Sequence, residues 1–493
     1  MTKLIQALVL FTSFACTRGG SDVKSDSNDS SSAIKLSLNS PAQKFDGWGA
    51  GLSWWAKASG QTEYAELYAD LFFTDKTVNV LGRDLPGLNI NIARYNIGGG
   101  ANGIAGENVS SKLEWWKGVD GFHVLPGSAD DVSTENWNWN NDPHQRHIMA
   151  LAKERNVNTF EFVSHAPMWW MNDSNSSQGG NLKLDSHEAH ANHLAQTIAY
   201  AKDNWGITAA SVEAFNEPVS TWWTFPKNQE GVVIPRSQQA DVLKKLRTKL
   251  DERGVPDTKI AASDENTVDQ AIDTYRYLEE QNVTNLVDKV NVHAYNGIDP
   301  YRNNVKRQEL RSLVPETKKI WMTEYGDGDG SGLVMAQTIT EDLKYLKANA
   351  WFYWQPLEPF TGWGMLNGDY SDRVSAGDNL AAPYKIHNKF FAFAHYSRFI
   401  TEGCQFYEVS SESSVLAYCE ADKKLVMVTF NTGESRDLVL DVSDLGVLGS
   451  VELTSSDLDD NDKLFVDGVV TIEGSELKFT AGERSIHTLV IGF

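Results

Sequence analysis

Two glutamates stand where a hydrolytic pair would. Glu217 closes the run Ser211-Val212-Glu213-Ala214-Phe215-Asn216-Glu217-Pro218, and Glu324 lies in Ile320-Trp321-Met322-Thr323-Glu324-Tyr325-Gly326. Each ends a short apolar run that reads as a buried strand, and a strand breaker, Pro218 or Gly326, follows within two residues. A carboxyl there sits at the C-terminal rim of a sheet, where α/β barrels keep their chemistry. Two such carboxyls can divide a glycosidic cleavage between them, one as proton donor and one as nucleophile. A lone glutamate at a strand end is usually a salt bridge; two with these flanks are not. Asn216 is placed to hydrogen-bond a sugar 2-hydroxyl. His293 and Tyr295, at the end of Val290-Asn291-Val292-His293, are placed to donate to a carboxylate.

The elements that must position this pair form a regular series. Eight candidate strands, mostly separated by helical patterns, occupy 45–54, 88–96, 159–167, 211–218, 258–266, 289–295, 318–326 and 349–357. Segments such as 186–205 and 236–253 carry apolar residues at helical spacing with charged outer faces. The alternation predicts an α/β fold, a (β/α)8 TIM barrel over residues 45–398, with Glu217 on the fourth strand and Glu324 on the seventh. From about residue 400 the texture changes to short alternating strands, at 405–409, 415–419, 424–429, 437–442, 464–472 and 486–491. Residues 399–493 read as a β-sandwich side domain, joined by an N-terminal strand within 33–44.

The chain has 493 residues and a formal net charge of −22, which repels nucleic acid and anionic membrane surfaces. That charge suits a soluble protein acting on neutral polymer, or reflects solubility alone. Sixteen tryptophans are unusual for this length; part of that excess is core, and Trp is also a usual surface for stacking sugar rings. Residues 1–16 read as an export signal: Lys3, then an apolar run too short to span a bilayer. Cys16 precedes a Ser-rich tether over 17–32, which leaves lipidation of Cys16 or simple cleavage open. Export implies an extracellular or cell-surface location, with membrane contact only through that lipid. Cys404 and Cys419, fifteen residues apart, are open to one disulfide or to two buried thiols.

More of the chain narrows the class. The segments Phe45-Asp46-Gly47-Trp48-Gly49, Arg94-Tyr95-Asn96-Ile97-Gly98-Gly99 and His165-Ala166-Pro167-Met168-Trp169-Trp170-Met171 resemble glycoside hydrolase family 30. So do Asn216-Glu217-Pro218 followed by Trp222-Trp223 and Gln229-Glu230-Gly231, and His293-Ala294-Tyr295. The resemblance runs from about residue 45 to the C-terminus and is nearest to the endo-β-1,6-galactanase branch.

That resemblance implies Glu217 as acid/base and Glu324 as nucleophile of a retaining reaction, with no cofactor and no metal. It implies that Arg94 holds the nucleophile ionised, that Asn216, His293 and Tyr295 line the subsite of the cleaved sugar, and that Trp354 is the platform beneath it. Trp48 belongs to the most telling part of the match and is carried as a substrate-binding residue. Trp169, Trp170, Trp222, Trp223 and Trp363 are cleft walls or packing, and Glu230 is a substrate contact or a solvated loop acid. The implied partner is a β-linked galactan or arabinogalactan, acted on by a monomer. Other β-glycosides, exo action and a catalytically silent carbohydrate-binding protein stay open.

Two motifs imitate metal sites. Asp327-Gly328-Asp329-Gly330-Ser331-Gly332 begins like a calcium loop, but Thr338 stands where a bidentate Glu is needed, so it reads as a rim loop. His187, His190 and His193 lack the His-Glu-x-x-His spacing and read as a solvated helix face.

Overall fold

The structure, a computed structural model, describes residues 33–101, 106–128, 130–131, 135–295, 304–359, 362–370 and 380–493. The predicted signal and tether, Cys16 included, lie outside the described residues.

Eight parallel strands close into a barrel: β1 (Gly47–Gly51), β2 (Ile92–Asn96), β3 (Thr159–Val163), β4 (Ser211–Glu213), β5 (Lys259–Glu265), β6 (Lys289–His293), β7 (Lys319–Glu324) and β8 (Ala350–Tyr353). Each falls inside its predicted segment. Between them run α1 (Ala65–Phe73), α2 (Pro143–Lys153), α3 (His187–Tyr200), α4 (Arg236–Glu252), α5 (Val268–Glu280), α6 (Asn304–Leu313) and α7 (Leu333–Glu341), and α8 (Lys389–Ser397) follows β8. The helices form for ordinary reasons. In α4, Gln239, Val242, Leu243, Leu246 and Leu250 make one buried stripe. At the start of α5 the Thr267 hydroxyl accepts the Gln270 amide at 3.2 Å, an N-cap.

Strand alternation sorts the barrel's side chains. Ile92, Trp321, Ala350 and Phe352 pack together as an apolar cluster of their own. Gly49 has no side chain because a Cβ there would stand 2.2 Å from the Phe352 ring. Trp48, one residue earlier, must therefore point the other way. It packs against Phe45, Trp351 and Phe393, and its indole donates to the Ile400 carbonyl at 2.6 Å. Trp48 is thus a core residue outside the barrel wall, and its expected substrate role is corrected.

The side domain is two sheets. Seven strands run in the order Pro41–Lys44, Gln405–Tyr407, Ser414–Cys419, Lys424–Asn431, Ser485–Gly492, Val451–Asp457, Val466–Asp467; four run Ile34–Lys35, Arg436–Asp441, Glu476–Ala481, Thr471–Glu473. Residues 33–44 thus feed one strand into each sheet. Leu416, Leu425, Met427 and Leu489 of the larger sheet meet Leu438, Leu440, Leu477 and Phe479 of the smaller. The opposite face of the larger sheet, through Ala417, Val428, Ile486 and Val490, joins the barrel's own core. Sheet and barrel therefore share one core, and α8 sits at the seam, where His395 bonds Thr488 and Ser456, each at 2.8 Å. Cys404 and Cys419 form a disulfide across adjacent antiparallel strands.

Two expectations change. The strands Val451–Asp457 and Glu476–Ala481 were not foreseen, and the expected strand 464–472 is split at Asp467-Gly468 into two short pieces. The helix face of His187, His190 and His193 is buried. His190 bonds the Ala214 carbonyl at 3.0 Å, and His193 accepts the Phe122 amide at 3.4 Å. His187 faces Asp241 and Gln238 of α4, and the segment between β2 and α2 meets the face at His193, contacts that a reading of α3 alone does not reveal.

Candidate active site

The C-terminal ends of the strands open into a cleft of about 810 Å³, lined by both glutamates, Asn216, Tyr295, Trp354 and Trp363 among others. Glu217 has a left-handed backbone, φ 49°, uncommon for a residue with a Cβ and typical of functional sites. Its backbone is clamped: the Glu217 amide donates to the Asp264 carbonyl at 2.9 Å, and the Trp223 indole donates to the Glu217 carbonyl at 3.0 Å. Its carboxyl accepts from the Asn266 amide group at 2.6 Å and faces His293 Nδ1 at 3.2 Å.

Glu324 ends β7. Arg94 Nη1 donates to it at 3.2 Å and the Tyr295 hydroxyl at 2.6 Å. Burial pushes the Glu324 carboxyl up, to about 7; His293 and Arg94 pull it down and Glu217 pushes it further up. The cation and the hydroxyl donor both favour the charged form of Glu324. A carboxyl oxygen of Glu217, one of Glu324 and a His293 nitrogen all lie within 4.8 Å of one another.

Asp264, at the end of β5, ties the site together. Its carboxylate takes a hydrogen bond from Arg94 Nη2, one from the Thr323 hydroxyl at 2.6 Å, and faces His293 Nε2 at 3.1 Å. Although buried, Asp264 is held well below the usual carboxylate range by Arg94 and His293. His293 is pushed the other way: despite burial, Glu324 and Asp264 raise it to about 10. The cationic form is thereby favoured, with Glu217 facing Nδ1 and Asp264 facing Nε2.

The remaining expectations divide. Arg94, Asn216, His293, Tyr295 and Trp354 gather at the pair. Trp354 meets Trp54 edge-on at 5.1 Å and the neutral His165, which burial pushes down to about 3, at 5.4 Å. Trp363 lines the cleft and is 40% exposed. Gly326 leaves it room, since a Cβ there would meet the Trp363 ring at 2.7 Å. Trp169, Trp170 and Trp223 are not among the lining residues. Trp169 is buried, Trp170 donates to the His123 carbonyl, and Trp223 holds the Glu217 backbone.

Glu230 is not a solvated loop acid. Although it borders the cleft, it is 3% exposed, and it accepts the amides of Gly99, Ala101 and Val119 at 3.1, 3.3 and 3.3 Å. It pins the loop after β2 to the loop after β4. Asp327, in the expected rim loop, accepts Lys389 Nζ at 2.9 Å, and Asp329 accepts the Ser331 and Val334 amides ahead of α7. Sequence reasoning passed over Asp264 and Asn266, although Asp264-Glu265-Asn266 closes β5 as Asn216-Glu217 follows β4. It also passed over Glu161, a buried acid between Phe160 and Phe162 that meets Arg94 Nε at 3.4 Å.

An eight-stranded barrel with paired acids at the ends of its fourth and seventh strands defines a glycoside hydrolase, and the comparisons agree. The family model described as O-Glycosyl hydrolase family 30 matches residues 31–366, and the chain belongs to that family. An "Endo-beta-1,6-galactanase" of Hypocrea rufa is 37% identical over 414 residues, 82% of each chain. The crystal structure of a conserved exported protein from Bacteroides fragilis superposes with a TM-score of 0.75 at 18% identity, over 93% of this chain and 100% of that one. The catalytic domain of a family 30 xylanase from Talaromyces cellulolyticus gives 0.70 at 18% identity, over 94% and 100%. At such identities these two similarities bear on the fold.

Proposed function

We propose that the protein is an exported, retaining endo-β-1,6-galactanase acting on the β-1,6-galactan side chains of arabinogalactan. The substrate reading is carried by the 37% identity to a galactanase over most of both chains. The retaining reading is supported by the spacing of the pair. Retaining enzymes hold their carboxyls about 5–5.5 Å apart, against roughly 6.5–9.5 Å in inverting ones, which need room for a water; here an oxygen of each lies within 4.8 Å.

In the first step Glu324 attacks the anomeric carbon while Glu217 gives its proton to the departing glycosidic oxygen. The bond from carbon to that oxygen breaks as the bond to Glu324 forms. Water then attacks the same carbon, Glu217 takes its proton, and Glu324 leaves as a carboxylate. Arg94 and Tyr295 favour the charged nucleophile against the burial that pushes its carboxyl up. The cation of His293 faces both carboxyls and supports whichever is ionised at each step. Export fits the apolar run over 1–16, and the Cys404–Cys419 disulfide suits an oxidising compartment. If Cys16 carries a lipid, Cys16→Ala abolishes incorporation of labelled fatty acid.

Product analysis on de-arabinosylated arabinogalactan tests the substrate reading. A ladder of β-1,6-galactooligosaccharides is expected. Release of dimer alone would mean exo action, and turnover confined to xylan or β-1,6-glucan would overturn the galactan assignment.

A further inference from the structure

The catalytic pair does not use the far wall of the cleft. There the lining is Trp54 after β1, Trp116 and Lys117 in the loop after β2, and Glu358 after β8. This arc joins the nucleophile's side through Trp354, whose amide donates to the Tyr325 carbonyl at 2.7 Å and whose ring meets Trp54. Glu217 stands across the opening on β4. A sugar covalently held on Glu324 therefore has its non-reducing neighbour on this arc, and the leaving group on the Glu217 side.

Glu358 is an unusual acid for such a wall. It is 7% exposed and borders the cleft. The Gln355 side-chain amide donates to its Oε1, and the Asn367 side chain grips its backbone carbonyl at 3.1 Å. Its second oxygen, Oε2, has no hydrogen-bond partner among the described residues. Lys117 lines the same wall, its ammonium 4.7 Å from the Trp116 ring and 5.3 Å from that of Trp54. A carboxyl oriented through one oxygen and its backbone, in the lining of a cleft, has its other oxygen left to bond a sugar hydroxyl. Trp54 adds an apolar edge to this wall, and Trp116, fully buried, supports it from behind against Trp54 and the Lys117 ammonium.

We propose that Glu358 and Lys117, with Trp54 beside them, form the subsite that binds the galactosyl unit next to the cleaved one on its non-reducing side, Glu358 Oε2 bonding a ring hydroxyl of that unit. Burial pushes the Glu358 carboxyl up, to about 8, which favours the protonated form, able to donate as well as accept. Glu358 is a specificity residue: it makes a second galactosyl unit matter to turnover without touching the bond that breaks.

The inference rests on the galactan reading, and the test separates the two. Aryl β-galactoside fills the cleaved-unit subsite alone, whereas aryl β-1,6-galactobioside also reaches the proposed one. The readout is the ratio of kcat/KM for the bioside to that for the monoside. A lost hydrogen bond in a buried site corresponds to about tenfold. In Glu358→Ala the ratio is expected to fall by about tenfold or more, through KM and kcat of the bioside, and to recover most of the loss in Glu358→Gln. Lys117→Met lowers the same ratio and covers the case in which Glu358→Ala does not fold. An unchanged ratio in both Glu358→Ala and Lys117→Met, with the two substrates losing equally, overturns the subsite. A wild-type enzyme that cleaves neither galactoside yet cleaves another aryl β-glycoside overturns the galactan reading and the subsite with it.

Discussion

At the scale of single residues, Asp264 holds the site's cations in place. Arg94 and His293 both face its carboxylate, and both also face Glu324. Removing the Asp264 charge leaves two buried cations short of one anion, and breaking such a pair costs about 3–5 kcal/mol. Asp264→Asn is accordingly expected to lose stability of that order in denaturant unfolding. A loss below about 1 kcal/mol would contradict the role. The acid/base assignment predicts a different signature. Glu217→Gln lowers kcat/KM by roughly 10²–10⁴-fold with little change in melting temperature; a variant retaining more than about a tenth of the activity would contradict it.

The sequence exposed these residues unevenly. Glu217 and Glu324 were legible because each interrupts an apolar strand just before a breaker. Asp264 carries a similar signal at the end of β5, yet nothing in a single strand says that three other strands, β2, β6 and β7, will aim Arg94, His293 and Thr323 at it. Trp48 was misplaced because a motif names a residue without its face. The neighbouring Gly49, facing Phe352, sets that face by alternation.

At the scale of elements, loops carry what the strands do not. Glu230, on the loop after β4, accepts three amides of the segment Gly99–Val119, and that segment carries Trp116 and Lys117. Glu230→Gln replaces an acceptor by an amide that turns one donor toward other donors. It is expected to cost about 1–3 kcal/mol and to speed hydrogen exchange at Gly99, Ala101 and Val119 selectively. Uniform exchange across the barrel would contradict the anchor. The strands were legible because β1–β8 are short apolar runs bounded by breakers; the packing of this loop over α3 was not, because it depends on contacts between segments about seventy residues apart, Phe122 with His193.

At the scale of the whole molecule, buried charge sets the response to pH. Glu230 and Glu265 are held up near 7, and Glu358 near 8, mainly by burial, against an ordinary glutamate value of about 4.3. For an acid raised on folding, the native state binds more protons than the unfolded chain between those values, so stability falls as pH rises through that window. His293 adds to the same trend. Raised to about 10, its contribution is complete below about 6.5 and is lost as pH climbs to 10. The melting temperature is therefore expected to fall steadily from pH 7 to pH 10, and less steeply in His293→Gln. A flat or rising profile by calorimetry would contradict the burial of these charges.

In the proposed mechanism Glu324 forms a covalent bond to the sugar and Glu217 resolves it. Proton NMR of the anomeric signals during the first minutes of galactooligosaccharide hydrolysis tests this most directly. Two displacements return the β configuration, so the β-anomer of the new reducing end is expected to appear first, with the α-anomer growing only at the rate of mutarotation. Initial appearance of the α-anomer would mean a single displacement by water and would contradict the nucleophilic role of Glu324.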